Sequence, residues 1–439
     1  MADTPTLPPP LDPREQAVLD NLRELRDQLN LLKQDRTTYV KSSDVMPLYE
    51  KVVAQVKVLN ELRADKPDED NQVDRVLDGC FQLLSLFFMT IGKNNEAPAA
   101  YALTSTIKRL LDHLTEVGLY TEKDTAHCST VLEKLREIVR TDSTHEPNFL
   151  KLLSNRIEVC QLALTNLQNR LPRLGGDLPA IHEKLISIMR SMSAANTKTK
   201  FSTTEVEKLQ AQMKELDAQR IDGKFLTESG EVPEGNEGVC ALLEKALKWS
   251  EIVLERKGDF PEAFRPIYET LIEIRNNLEK LSLTQAWSLR ETDLYDFQRQ
   301  LDRIDESRIN GNFQDANGNF AELYVQRTLL YLIRRSYAYI YLLMVSSEPV
   351  SEALLPVYNQ LQTLRRCLLE VKNSGGVSSP RELYPYSMKL NSLDNMRVDG
   401  KFMVGKEIPE GQGSVIELLS ECFELNYELR IAAETETEE

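Results

Sequence analysis

The sequence predicts an all-α protein, an extended multi-helical array built from repeats of about three helices and roughly 80–90 residues each. Three observations carry this prediction. Apolar residues recur at three- and four-residue steps along most of the chain, as in VLDNLRELRDQLNLLK at 18–33 and VEKLQAQMKELDAQR at 206–220. Strand-like alternation is nearly absent. A cassette, RIDGKFLTESGEVPEG at 220–235, returns as RVDGKFMVGKEIPEG at 397–411, with a partial copy, RINGNF, at 308–313.

Taken in order, residues 1–12 (MADTPTLPPPLD) read as a disordered Pro-rich arm, lacking the charged-then-apolar order of a secretory signal. Residues 13–171 form an N-terminal helical region with degenerate repeats. It contains FQLLSLFFMTIG at 81–92, too short to cross a membrane and therefore expected as a buried helix. Three clearer repeats follow, at 172–257 with a full cassette, 258–346 with the partial one and 347–433 with a full one. Each reads as a Pro-started helix, a second helix running into the cassette and a third helix after it. Five prolines mark helix starts, Pro47, Pro98, Pro179, Pro266 and Pro356, because the first helical N–H groups have no intrahelical acceptor to lose. The third helix of the middle repeat is the Tyr-rich ELYVQRTLLYLIRRSYAYIYLLM at 322–344. Arg327, Arg334 and Arg335 interrupt its apolar run, so a core helix is expected and not a membrane span. Residues 434–439, ETETEE, form an acidic tail.

The cassette has two readings. Gly223, Gly311 and Gly400 follow a helix, where a residue without a Cβ takes positive φ at little cost. Asp222, Asn310 and Asp399 precede them, making the tight-turn pairs Asp-Gly and Asn-Gly. Short β-hairpins are expected after Asp-Gly-Lys-Phe, with Gly405-Lys406 as the turn of the last one. Phe225, Phe313 and Phe402 are expected to plug the gaps between helices. The competing reading makes Arg220, Asp222 and Lys224, or Arg397, Asp399 and Lys401, a charged binding spot. The middle copy favours the turn: Asn310 and Asn312 preserve its geometry but supply no general acid or base.

Composition narrows the chemistry. With 53 Lys+Arg against 69 Asp+Glu the formal net charge is −16, which disfavours nucleic acid and anionic lipid. The four histidines, His113, His127, His145 and His182, show no metal-ligand spacing, and the six cysteines are dispersed as expected of reduced core thiols. His127-Cys128 could hold a metal or a reactive thiol, but it lies in a helical run. No Gly-rich phosphate loop or Gly-x-Ser-x-Gly is present, so no cofactor, metal or catalytic residue is assigned. Partners are expected to be proteins, with the acidic surface favouring basic segments.

The paired R-[IV]-D-G-K-F and [IV]-P-E-G-[NQ] motifs in a Pro- and Tyr-punctuated helical chain resemble the fungal uncharacterised protein family 0662, built from tandem copies of a helical domain of unknown function. The resemblance spans the chain apart from its arm and tail. It implies a soluble protein of cytoplasm and nucleus and brings no activity, cofactor or catalytic residue. The expectation is a non-enzymatic scaffold or adaptor acting through protein–protein interactions. The alternative is a small-anion-binding protein or an enzyme that uses the Arg/Asp/Lys cassettes.

Overall fold

Helices at the predicted 3.6-residue period account for most of the computed structural model, which describes residues 7–64, 70–285 and 289–438. They fall into consecutive sets of three, each packed on itself. The first set is α1 (Pro13–Gln34), α2 (Ser42–Leu62) and α3 (Gln72–Thr90). The second is α4 (Ala100–Val117), α5 (Glu122–Thr141) and α6 (Pro147–Asn169). Then come α7 (Leu178–Asn196), α8 (Thr203–Asp217) and α9 (Asn236–Arg256), followed by α10 (Arg265–Lys280), α11 (Leu294–Glu306) and α12 (Leu323–Val345). The last set is α13 (Leu355–Asn373), α14 (Tyr384–Asp394) and α15 (Gln412–Glu438). Strand among the described residues is confined to β1 (Arg397–Val398) and β2 (Lys401–Phe402) and a few isolated bridges.

Local chemistry sets the helix starts. Asn71 accepts from the Val73 N–H at 2.8 Å while Asp74 accepts from the Asn71 N–H at 3.0 Å, closing a capping box ahead of α3. Thr121 and Asp124 do the same for α5. Pro179, Pro266 and Pro356 are the second residues of α7, α10 and α13, and Pro98 sits in a 3-10 turn leading into α4. Pro47 departs from the expected pattern. The Lys41–Asp44 cap starts α2 at Ser42, so Pro47 lies inside the helix and forgoes one backbone bond.

One hydrophobic core runs from Val18 to Met344, and a second, from Val350 to Leu429, fills the last set. The stretches read as buried helices are both central. Every residue of α3 from Cys80 to Thr90 is buried, and α12 is buried on most of its circumference. A helix apolar nearly all round needs walls from several sides. Accordingly α12 packs on α4 and α7 as well as on its own set, and α3 reaches α4 and α11. The fourth set therefore folds back onto the first three instead of meeting only its chain neighbours. The tyrosines of α12 bury their rings and still find polar partners: Tyr337 donates to Asp302 at 2.7 Å, and Tyr324 to Asn196 at 3.0 Å.

The ends of the chain are partly tied down. The carbonyls of Leu7 and Pro8 accept hydrogen bonds from Gln72, laying the end of the Pro-rich arm against α3; residues 1–6 lie outside the described residues. The acidic end continues α15 to Glu438, and Glu439 lies outside the described residues. Among the described residues no helix is long and apolar enough to cross a membrane.

Candidate functional site

Each cassette joins the second and third helices of a set. In all three copies the Asp-Gly or Asn-Gly pair is itself the tip of a two-residue turn. Asp222, Asn310 and Asp399 have φ of 48°, 51° and 49°, and the following glycines 75°, 78° and 78°. Two successive positive φ values define a type I′ turn, whose twist suits a hairpin. The flanking pairs Ile221–Lys224 and Ile309–Asn312 form antiparallel bridges, and β1 pairs with β2 in the last copy. The hairpin thus lies over the Asp-Gly pair, one step earlier than its sequence placement after Lys-Phe. A second narrow turn does occur at Gly405-Lys406, where Val404 and Glu407 exchange both backbone bonds.

Three further features fix the cassette. Phe225, Phe313 and Phe402 are buried to 4%, 1% and 2% exposure. An amide near the start of each third helix holds the backbone of that phenylalanine. The Phe225, Phe313 and Phe402 N–H groups donate to the side-chain oxygens of Asn236, Gln326 and Gln412 at 2.9, 3.0 and 2.9 Å. The two glutamines also donate back to the Phe313 and Phe402 carbonyls. Finally, the Pro-Glu-Gly ends close their own repeat. Gly175 and Ser351 N–H groups donate to the Glu234 and Glu410 carbonyls. A Cβ on Gly235 or Gly411 would lie 2.5 Å from the Arg173 oxygen or 2.7 Å from the Val350 Cα.

The charged residues of the competing reading are separated by this geometry. Arg220 pairs with Asp217 and lies 3.5 Å from Glu244; Arg397 pairs with Asp394; Arg308 bonds Asp305 and Glu116. Each arginine thus returns to an aspartate three residues earlier, at the end of the preceding helix, where it also meets the negative end of the helix dipole. Asp222, Lys224, Asp399 and Lys401 are exposed. Sequence reading missed both the Asp-x-x-Arg spacing and the amide lock, although Asp217, Asp305 and Asp394 precede their arginines by a constant step and the Gly-[NQ] end of the motif contains Asn236 and Gln412.

A cluster of cationic side chains lies elsewhere. A groove of about 950 Å3 is lined by α1, α3 and α11. It gathers Arg26, Lys33, Arg36, Arg75, Arg299 and Arg303, against the carboxylates of Asp27, Asp293 and Asp296. Lys33 pairs with Asp296 at 2.5 Å, Arg36 pairs with Asp293, and Arg75 holds Glu306 through two bonds of 2.9 and 2.6 Å. Arg299 and Arg303, one turn apart on α11, form no ion pair among the described residues, and the buried Arg303 Nε has no hydrogen-bond acceptor. Arg75 connects the groove to a buried polar network. There Arg109 Nε lies 3.4 Å from Asp302, and burial pushes the Asp302 carboxyl up from its ordinary range. No motif announces this groove, because its residues come from opposite ends of the first three quarters of the chain.

The histidines and cysteines form no cluster of metal-ligand size: among the described residues no group of three or more His, Cys, Asp or Glu side chains is placed to hold a metal ion. His127 Nδ1 lies 2.7 Å from the Tyr341 hydroxyl, and burial pushes the Cys128 thiol up, away from the reactive thiolate.

Fold and cassettes together define a multi-helical protein built from sets of three helices, with a repeated cassette in three of those sets. The family described as protein of unknown function (DUF2408) matches residues 171–291 and 347–439, which contain the two full cassettes. A CUB1 family protein of Schizosaccharomyces pombe is 38% identical over 440 residues, spanning 98% of this chain and 95% of that one. The Cu(2+) suppressing and bleomycin sensitive protein 1 of Saccharomyces cerevisiae is 37% identical over 504 residues, 96% of this chain and 90% of that one. The chain belongs to this fungal family, the CUB1 family. No solved structure matches it.

Proposed function

We propose that the protein is a non-enzymatic helical adaptor of cytoplasm and nucleus, and that it docks acidic segments of partner proteins in the groove between α1 and α11. The observation that carries the reading is the pair Arg299 and Arg303, two half-buried guanidinium groups that form no direct ion pair among the described residues, in a chain whose overall charge is −16. Arginine presents its donors in a fixed fork that fits carboxylates, and hydrogen bonds to charged groups are stronger than neutral ones. The acidic surface at large favours basic segments, while the groove selects the opposite sign. A long polyphosphate meets the whole −16 charge, whereas a short acidic segment meets only the groove, which favours protein over nucleic acid.

The name of the budding-yeast relative links that protein to copper and bleomycin. For this chain we propose an adaptor in a response of that kind, with the docked proteins supplying the chemistry. A photo-crosslinking residue placed at Gln300, on the groove wall, tests the reading in the protein's own cells. Crosslinks to acidic stretches of a small set of proteins are expected; crosslinks predominantly to nucleic acid would contradict it.

A further inference from the structure

A second cavity, of about 360 Å3, opens where α4, α5, α7 and α12 meet. Its apolar part is built from Leu110 and Leu114 of α4 with Ala338 and Leu342 of α12. Its charged part is one-sided. Asp124, the carboxylate lining it, is taken by Arg190 through bonds of 2.7 and 3.3 Å. Lys123 at the rim is engaged by Glu183. Arg335 turns to the Tyr339 hydroxyl, 2.9 Å away. Arg334 has none of these partners. Among the described residues it makes no hydrogen bond and no ion pair; the Tyr331 ring centre lies 5.9 Å from its guanidinium carbon, and Asp124 and Glu116 act on it only from beyond ion-pair distance.

Arg334 is half-buried at the cavity, where its guanidinium keeps part of its hydration and has no carboxylate within ion-pair distance. Burial first, and then the neighbouring Arg190, push the Arg334 ionisation down to about 10, so the group remains charged at neutral pH. Leu110, Leu114, Ala338 and Leu342 present an apolar surface in the same cavity. A cavity of this size with an apolar wall and one guanidinium free of an ion pair has the form of a small-molecule site.

We propose that this cavity binds a small ligand bearing one carboxylate or phosphate group on an apolar body, with the anion on Arg334 and the body against Leu114 and Ala338. The site is separate from the α1/α11 groove and from the cassettes, so it stands whether or not the groove docks proteins. It also revives the small-anion alternative at residues other than Arg220 and Arg397. Binding here joins α4 and α12, which come from two different sets.

The test uses the full-length protein with phenyl phosphate and benzoate as probes and inorganic phosphate as the anion without a body. Thermal unfolding is followed as each is titrated. At least one aromatic anion is expected to raise Tm saturably, above any rise from inorganic phosphate, and comparison of the two identifies the preferred anion. In Arg334→Met the ligand-dependent rise is expected to vanish while the ligand-free Tm stays within about 2 °C of wild type, because the half-buried arginine makes no hydrogen bond or ion pair that the substitution would remove. Ala338→Phe, which keeps the arginine and fills the apolar part, is expected to abolish the aromatic response independently. Absence of any saturable response in the wild type, or a response retained in either variant, would overturn the proposal.

Discussion

Asp222 and Asp399 hold positive φ at the first position of a type I′ turn, and Asn310 holds the same place in the middle repeat. The side chain needed there is one that tolerates the left-handed region, a property Asp and Asn share. Asp222→Asn and Asp399→Asn are therefore expected to leave Tm unchanged. Gly223→Val is expected to cost on the order of 1 kcal/mol or more by chemical denaturation, from backbone strain alone, since a Cβ there meets nothing within 4 Å. Gly235→Ala combines positive φ with the close Arg173 carbonyl and is expected to cost more than Gly223→Ala. Asp142 makes a pH-dependent contribution. Burial works to raise its carboxyl, but the N–H groups of Thr144, Ala97 and His145 donate to it and hold it far below the ordinary range. A carboxyl lowered on folding stabilises above its unfolded pKa of about 3.9 and loses that contribution as pH falls toward its folded value. Asp142→Asn is expected to cost about 2 kcal/mol at pH 7. Its stability deficit relative to wild type should shrink below about pH 4.

At the scale of elements, the third helix of each set is anchored to its cassette by one amide. Gln412 both accepts from the Phe402 N–H and donates to its carbonyl, so a side chain stands in for a neighbouring strand. Gln412→Leu leaves both backbone groups without these partners and is expected to cost about 1–3 kcal/mol. Hydrogen exchange at the Phe402 amide should accelerate accordingly. Asn236 only accepts, so Asn236→Leu should be the milder change. The helices themselves were readable from periodicity, and the turn from Asp-Gly, because both depend on neighbours within a few residues. The placement of the hairpin was less readable. Lys-Phe-Met-Val and Glu-Ile-Pro look like strands, but Pro409 has no N–H for a ladder, and the buried Phe402 fixes where pairing stops. The amide lock was invisible for a different reason: Asn236 and Phe225 are eleven residues apart, and only the folded path between them makes them partners.

The whole molecule is organised by α12, whose apolar circumference draws in α4, α7, α10 and α11. Its burial could be read from the sequence, but the identity of its walls could not, because many helices offered similar apolar stripes. The groove was equally hidden. Arg26, Arg75, Arg299 and Arg303 are unremarkable on their own helices and become one surface only when α1 and α11 face each other across α3. Nearest-neighbour reasoning from the repeat would never have joined them. The central claim is that this surface docks acidic protein segments, and fluorescence anisotropy tests it directly. A labelled Asp/Glu-rich peptide is titrated with wild-type protein and with the Arg299→Glu/Arg303→Glu double variant, the folded state of each checked by circular dichroism. The account predicts saturable binding to the wild type that weakens as salt rises, a loss of at least about tenfold in the double variant, and no change in Arg220→Ala. Equal binding by wild type and double variant, or no binding by either at low salt, would contradict it.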